Sequence, residues 1–162
     1  MSKPSAPFVF HYSLNAPKEL VFNSFSTAEA LNAWWGPAET SNSVVSLDFR
    51  PGGTFHFKME AGDYVSFGRF KYIDIRPHDF LSFTNAFADA GGNVVKAPFD
   101  MEFPLEILYE ITLTEQDGKT QLTLTGTPFE ATEEQTATFK SIEEDMQRGF
   151  AGTFDKLAAY LK

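Results

Sequence analysis

A chain of 162 residues has the length of one domain, and a domain of that size can bury roughly 70% of its unfolded surface around a single core. It contains no cysteine, which excludes a disulfide framework, thiolate metal ligands and a cysteine nucleophile, and makes the cytoplasm the simplest compartment. Thirteen Lys and Arg face 22 Asp and Glu, and the resulting formal charge of −9 opposes phosphate backbones and anionic lipid, so neither nucleic acid nor membrane is an expected partner. No apolar run approaches the roughly 20 residues of a membrane span, and residues 1–7 lack the hydrophobic centre of a secretory signal. Eighteen Phe, five Tyr and two Trp then need a place: a dense core, or the lining of a hollow.

In Phe8–Leu14, Phe8, Phe10 and Tyr12 alternate with Val9, His11 and Ser13, which predicts a first strand with one aromatic face. Ala16-Pro17 opens a short helix with Leu20, Val21, Phe22 and Phe25 as its apolar stripe. Ser26-Thr27-Ala28-Glu29 matches a capping box and begins a second helix, which runs to Trp34-Trp35 and stops at Gly36-Pro37. From Val44 the period is two. Val45, Leu47 and Phe49 share one face, and Arg50-Pro51-Gly52-Gly53 turns into a strand with Phe55, Phe57 and Met59 on its apolar side. Further strands are predicted at Val65–Ile75, Phe80–Phe87, Leu105–Thr114 and Thr120–Gly126, the last two joined across Gln116-Asp117-Gly118 as part of an antiparallel meander. Residues 88–103, broken by Pro98, read equally as a loop over an opening or as an edge strand.

Two more capping-box patterns, Thr132-Glu133-Glu134-Gln135 and Ser141-Ile142-Glu143-Glu144, predict a short helix and then a longer one, with the break near Ser141. In the longer helix Ile142, Met146, Gly149, Phe150, Thr153, Phe154, Leu157 and Leu161 recur at helical spacing, a stripe that must lie against the sheet. Gly149 and Gly152 each cost about 1 kcal/mol relative to Ala in a helix interior. Close packing or space for a ligand would offset that cost.

Trp34-Trp35-Gly36-Pro37 followed by Asp48-Phe49-Arg50-Pro51-Gly52-Gly53 resembles the family named after the activator of the heat-shock protein 90 ATPase, within the START-like (SRPBCC) helix-grip superfamily. Ala16-Pro17 with Val21-Phe22, Met59, Gly68, Pro77, the Leu81–Thr84 strand and Gly149-Phe150 with Leu157 extend the resemblance over almost the whole chain, residues 1–162 reading as one such domain. It implies an α+β fold: a curved antiparallel sheet of about six or seven strands wrapped around the long C-terminal helix, often with an apolar cavity between them, and two short helices after the first strand. Residues 86–104 are longer and more aromatic than the connection this resemblance leads one to expect.

Periodicity points Phe55, Phe57, Phe83, Phe150 and Phe154 inward, with Ile107, Tyr109 and Phe70. Such a set either fills the grip or lines it. Together with Trp35, which borders the entrance if Trp34 anchors the helix, these are the candidate ligand-binding residues, and a connected cavity of about 300 Å³ or more bounded by Phe55, Phe57, Tyr109 and Phe150 is the expected sign of a small hydrophobic or aromatic ligand. Tyr72, Tyr109, Asn85 and Thr153 are the polar candidates for orienting it. His11, His56 and His78 read as solvated surface residues, and Asp48 with Arg50 as a structural pair two apart on one strand face.

No HExxH, GxSxG, P-loop or GxGxxG occurs, nor any metal-ligand spacing, so no catalytic residue, metal or cofactor is assigned. The resemblance keeps open an enzyme of the polyketide cyclase/dehydratase type, for which Arg69, Tyr109, Asp100 and Glu102 are the groups able to act inside a pocket. It also keeps open a chaperone-regulating interaction domain. Six acidic residues lie between Lys96 and Lys119 with no basic residue among them, and Glu106 and Glu110 fall on the face opposite Ile107 and Tyr109, where a basic partner could dock. A homodimer covering a sheet edge is a further open possibility.

Overall fold

The computed structural model describes residues 7–36, 39–97 and 102–161. Seven strands make one curved antiparallel sheet in the order β1-β7-β6-β5-β4-β3-β2. They are β1 (Phe8–Leu14), β2 (Ser41–Leu47), β3 (Thr54–Ala61), β4 (Tyr64–Arg76), β5 (Phe80–Ala88), β6 (Glu106–Gln116) and β7 (Lys119–Phe129). Two short helices, α1 (Lys18–Asn23) and α2 (Ala28–Trp34), separate β1 from β2, and α3 (Glu133–Ser141) and α4 (Glu143–Tyr160) end the chain. The α+β helix-grip architecture is therefore present, with α4 held against the concave face. Pro37, Pro98 and Asp100, read from sequence as a helix stop, a strand break and a candidate acid, lie outside the described residues.

The two-residue period does what it predicts in β1: Phe8, Phe10 and Leu14 are buried and Val9, His11 and Ser13 exposed. Phe8, Phe10 and Tyr12 stand opposite Gly126, Leu124 and Leu122 of β7. The same face continues through Tyr109, Phe83, Phe70 and Phe55, successive strands each presenting a large apolar side chain inward.

β2 departs from the expected face. Its pairing with β3 slips between Val44 and Ser46, and this bulge turns Val45 out to 51% exposure, leaving Val44 and Leu47 against the core. Two capping boxes also differ. Thr27, not Ser26, has the extended dihedrals of a cap and accepts from Ala30 N at 3.2 Å, while the Ser26 hydroxyl donates back to Asn23 O. Ser141 is the last residue of α3, its hydroxyl donating to Thr138 O, and α4 starts after Ile142 without a side-chain cap. The Thr132/Gln135 box is complete in both directions.

The undecided segment folds as a short return. Asp89 N donates to Asn93 O, Ala88 bridges Val94, and Val95 N donates to Phe87 O. The Asp89 carboxylate accepts from the backbone N–H groups of Gly91 and Asn93, and the Asn93 backbone and side chain together hold its carboxyl below the usual range. This turn comes down on His56, which is only 6% exposed, with Nε2 3.0 Å from Asp89 O and its ring 5.7 Å from Phe67. His56 is thus a buried residue, contrary to its expectation as a solvated one, because a segment 33 residues away covers the outer face of β3. His78, at φ 71°, sets its ring 5.7 Å from Phe22 and is half-buried, whereas His11 is exposed.

Candidate ligand cavity

Between the sheet and the N-terminal half of α4 lies an open cavity of about 220 Å³. β3 contributes Phe57 and Met59 to its wall, β5 contributes Asn85 and Phe87, and β6 contributes Ile107. α4 closes the opposite side with Met146, Gly149, Phe150 and Thr153, and the segment Phe103–Leu105 runs along the mouth. Among the described residues, no ionisable side chain lines it.

One glycine explains how Phe57 lies. Gly68 faces Phe57 across the β3–β4 ladder, and a Cβ built on it would stand 2.4 Å from Phe57 Cζ. The Phe57 ring therefore lies over bare backbone, a close approach of the kind that strand glycines mark. At the entrance the chain leaves α2 through Trp35 and Gly36 (φ 100°), and Thr153 Oγ1 sits 3.0 Å from Gly36 O and from Gly149 O, tying that connection to α4.

The adjacent tryptophans divide their roles by direction. Trp34 is fully buried, donates Nε1–H to Ser24 O at 2.8 Å and meets Phe154 at 5.6 Å. Trp35 borders the cavity and places its ring edge-on to Phe70, 4.9 Å away. Its own indole N–H is buried with no hydrogen-bond partner among the described residues.

Of the nine residues singled out from sequence, Trp35, Phe57, Ile107 and Phe150 line the cavity. Phe55, Phe70, Phe83, Tyr109 and Phe154 do not: they are packed behind its wall, with Phe70 stacked on Phe83 at 4.0 Å and the Tyr109 ring lying over Gly126. The space is correspondingly smaller than the expected 300 Å³ and is bounded by Phe57 and Phe150 rather than by Phe55 and Tyr109. Alternation names the side of a strand on which a ring lies, but not how far its neighbours fill that side.

Asn85 and Thr153 line the cavity as the polar pair, Asn85 Nδ2 donating to Arg69 O at 3.3 Å. Tyr72 and Tyr109 are buried beyond it, and burial pushes both hydroxyls above the ordinary tyrosine range. Sequence reasoning named neither Phe87 nor Phe103 as wall residues, and it read Met59 and Met146 only as inward-facing.

Of the groups considered for acid or base chemistry, the described ones, Arg69, Tyr109 and Glu102, are not brought together. Arg69 occupies the outer face, where Nη2 pairs with Glu106 Oε1 at 3.1 Å and Thr84 donates to the same oxygen, while Glu102 is exposed. Glu106 is accordingly half-buried in a polar cluster, and only Glu110 of the two outward acids is exposed. Asp48 and Arg50 pair as expected, at 2.8 Å, but in the connection after β2 and not on a strand.

A family model described as "Activator of Hsp90 ATPase homolog 1-like protein" matches residues 15–162. The chain belongs to that family. No curated protein sequence matches it. Among solved structures of this shape, a protein from Arthrobacter aurescens is 26% identical, with a TM-score of 0.78 over 96% of this chain and 85% of that one. Protein CV1439 of Chromobacterium violaceum is 20% identical, with a TM-score of 0.73 over 97% and 98% of the two chains. DynU16, from the dynemicin biosynthetic locus, is 20% identical with a TM-score of 0.67, and the match spans 98% of this chain but 48% of that one. These likenesses place the family member in the helix-grip fold. No helix among the described residues is long and apolar enough to cross a membrane.

Proposed function

We infer that this protein binds a small, uncharged, largely apolar molecule in the cavity between β3–β6 and α4. The observation that carries the reading is the wall itself: among the described residues, rings, thioethers and aliphatic groups with Asn85 and Thr153 as side-chain polar groups, open on one side, beside a core of buried rings. Moving an apolar ligand from water into such a space is favourable in proportion to the area covered, and one or two hydrogen-bonding groups suffice to orient it. The volume is below the roughly 300 Å³ at which pockets for drug-sized ligands begin, so the ligand is a compact ring system or a short chain.

Isothermal titration calorimetry with 2-naphthol and with 1-octanol tests this. Saturable binding with Kd below about 1 mM, roughly −4 kcal/mol, and a raised melting temperature are expected. Absence of saturable heat and of any thermal shift with both probes overturns the reading.

A further inference from the structure

Gly149 sits in the interior of α4, where glycine is the poorest ordinary residue because the unfolded chain gains most from its freedom. Two circumstances would account for it: a neighbour pressed against the helix backbone, or space that must stay empty. The first is absent among the described residues, since a Cβ built on Gly149 meets none of their atoms within 4 Å. By contrast the same construction on Gly68 and Gly126 runs into the Phe57 and Tyr109 rings. The second is present, because Gly149 lines the cavity and is exposed to solvent, as is Leu105, another lining residue, at 47%.

We propose that Gly149 is the admission residue of the cavity: its missing side chain is the doorway through which a ligand enters, and over which the end of a ligand longer than the cavity emerges. This rests on the ligand-binding reading above and adds to it a ligand class, neutral molecules with one apolar end inside and a tail free to extend past α4. Neutrality follows from the uncharged wall that the described residues make, and the open end removes any strict upper limit on tail length.

The test is a ladder of 1-alkanols from hexanol to dodecanol, titrated by calorimetry into the wild type, Gly149→Ala and Gly149→Leu. In the wild type each buried methylene should tighten binding about fourfold, and the gain should level off without reversing once the tail leaves the mouth. Gly149→Leu should weaken the longer alcohols by at least tenfold, and by more than it weakens hexanol. Gly149→Ala, which gains helix propensity in open space, should raise the melting temperature by about 2–4 °C. An unchanged ladder in Gly149→Leu overturns the doorway and leaves the binding reading standing. A wild type that binds no alkanol removes both. A lower melting temperature for Gly149→Ala overturns the proposal on its own, because it makes Gly149 a packing residue.

Discussion

Around Phe154 the grip is closed by rings from two other elements: Trp34 of α2 at 5.6 Å, and Phe10 and Tyr12 of β1 at 5.6 and 5.9 Å. Toward the start of α4 the same sheet and the same helix leave about 220 Å³ unfilled. Both halves have an aromatic sheet face, so aromatic content does not separate them. What differs is what is laid over it. α2 inserts Trp34 into the closed half, while the open half is lined by two glycines, Gly68 on the sheet and Gly149 on the helix, and by the segment Phe103–Leu105. A hollow in this fold is therefore made by small residues at particular positions, not by a shortage of large ones.

The largest effect expected from this contrast is in the closed half. Phe154→Ala removes a fully buried ring with aromatic neighbours on three sides and should cost about 3–5 kcal/mol, lowering the melting temperature by roughly 10 °C at ~2–4 °C per kcal/mol. Met146→Ala, half-buried beside existing space, should cost only about 1 kcal/mol. Equilibrium urea unfolding of the two variants breaks the comparison if their losses are equal.

Gly68→Ala should fall between them. The added methyl cannot coexist with the Phe57 ring at 2.4 Å, so the ring must swing into the cavity, at a cost of about 1–3 kcal/mol. The same variant should bind 2-naphthol more weakly, because the displaced ring occupies its place. An unchanged melting temperature would show that the close approach does not shape the cavity.

These positions also mark how far the sequence could be read. The strands, the meander, the break at Ser141 and the inward face of α4 all follow from local periods and turn chemistry, which act over a few residues and need no knowledge of partners. The family motifs at Trp34–Gly36 and Asp48–Gly53 supplied the architecture that joins them. Apart from the caps at Ser26 and Ser141, reading failed where the decisive neighbour is remote. Val45 is expelled by a slip against β3, and His56 is buried by the turn that starts at Asp89. The cavity itself was half legible: its sheet-and-helix location follows from the inward stripes, but its position along the grip depends on Phe70 stacking against Phe83 and on Trp34 reaching Phe154. Gly68 carried a signal that went unread, since an isolated strand glycine marks close backbone approach, and the ladder sets it against Phe57.

The smallest effect concerns the seam that holds β1 to α4 beside the closed half. Tyr12 donates its hydroxyl to Asp155 Oδ1 at 2.5 Å, and burial, then that hydrogen bond and the carboxylate's charge, push the phenol up from 10 to about 12. A raised folded-state value means that the neutral phenol is what the fold favours. Its contribution is whole below about pH 10 and is lost as the pH rises through about 12. Tyr12→Phe removes this contribution and leaves the buried Tyr72 and Tyr109 in place, so the two proteins differ only through the seam. Urea unfolding at steps from pH 9 to 12 should show the wild type more stable at the start and losing stability more steeply than Tyr12→Phe, with the curves converging near the top of that range. Parallel curves would mean that Tyr12 ionises without disturbing the seam, and that the closed half owes its firmness to packed rings alone.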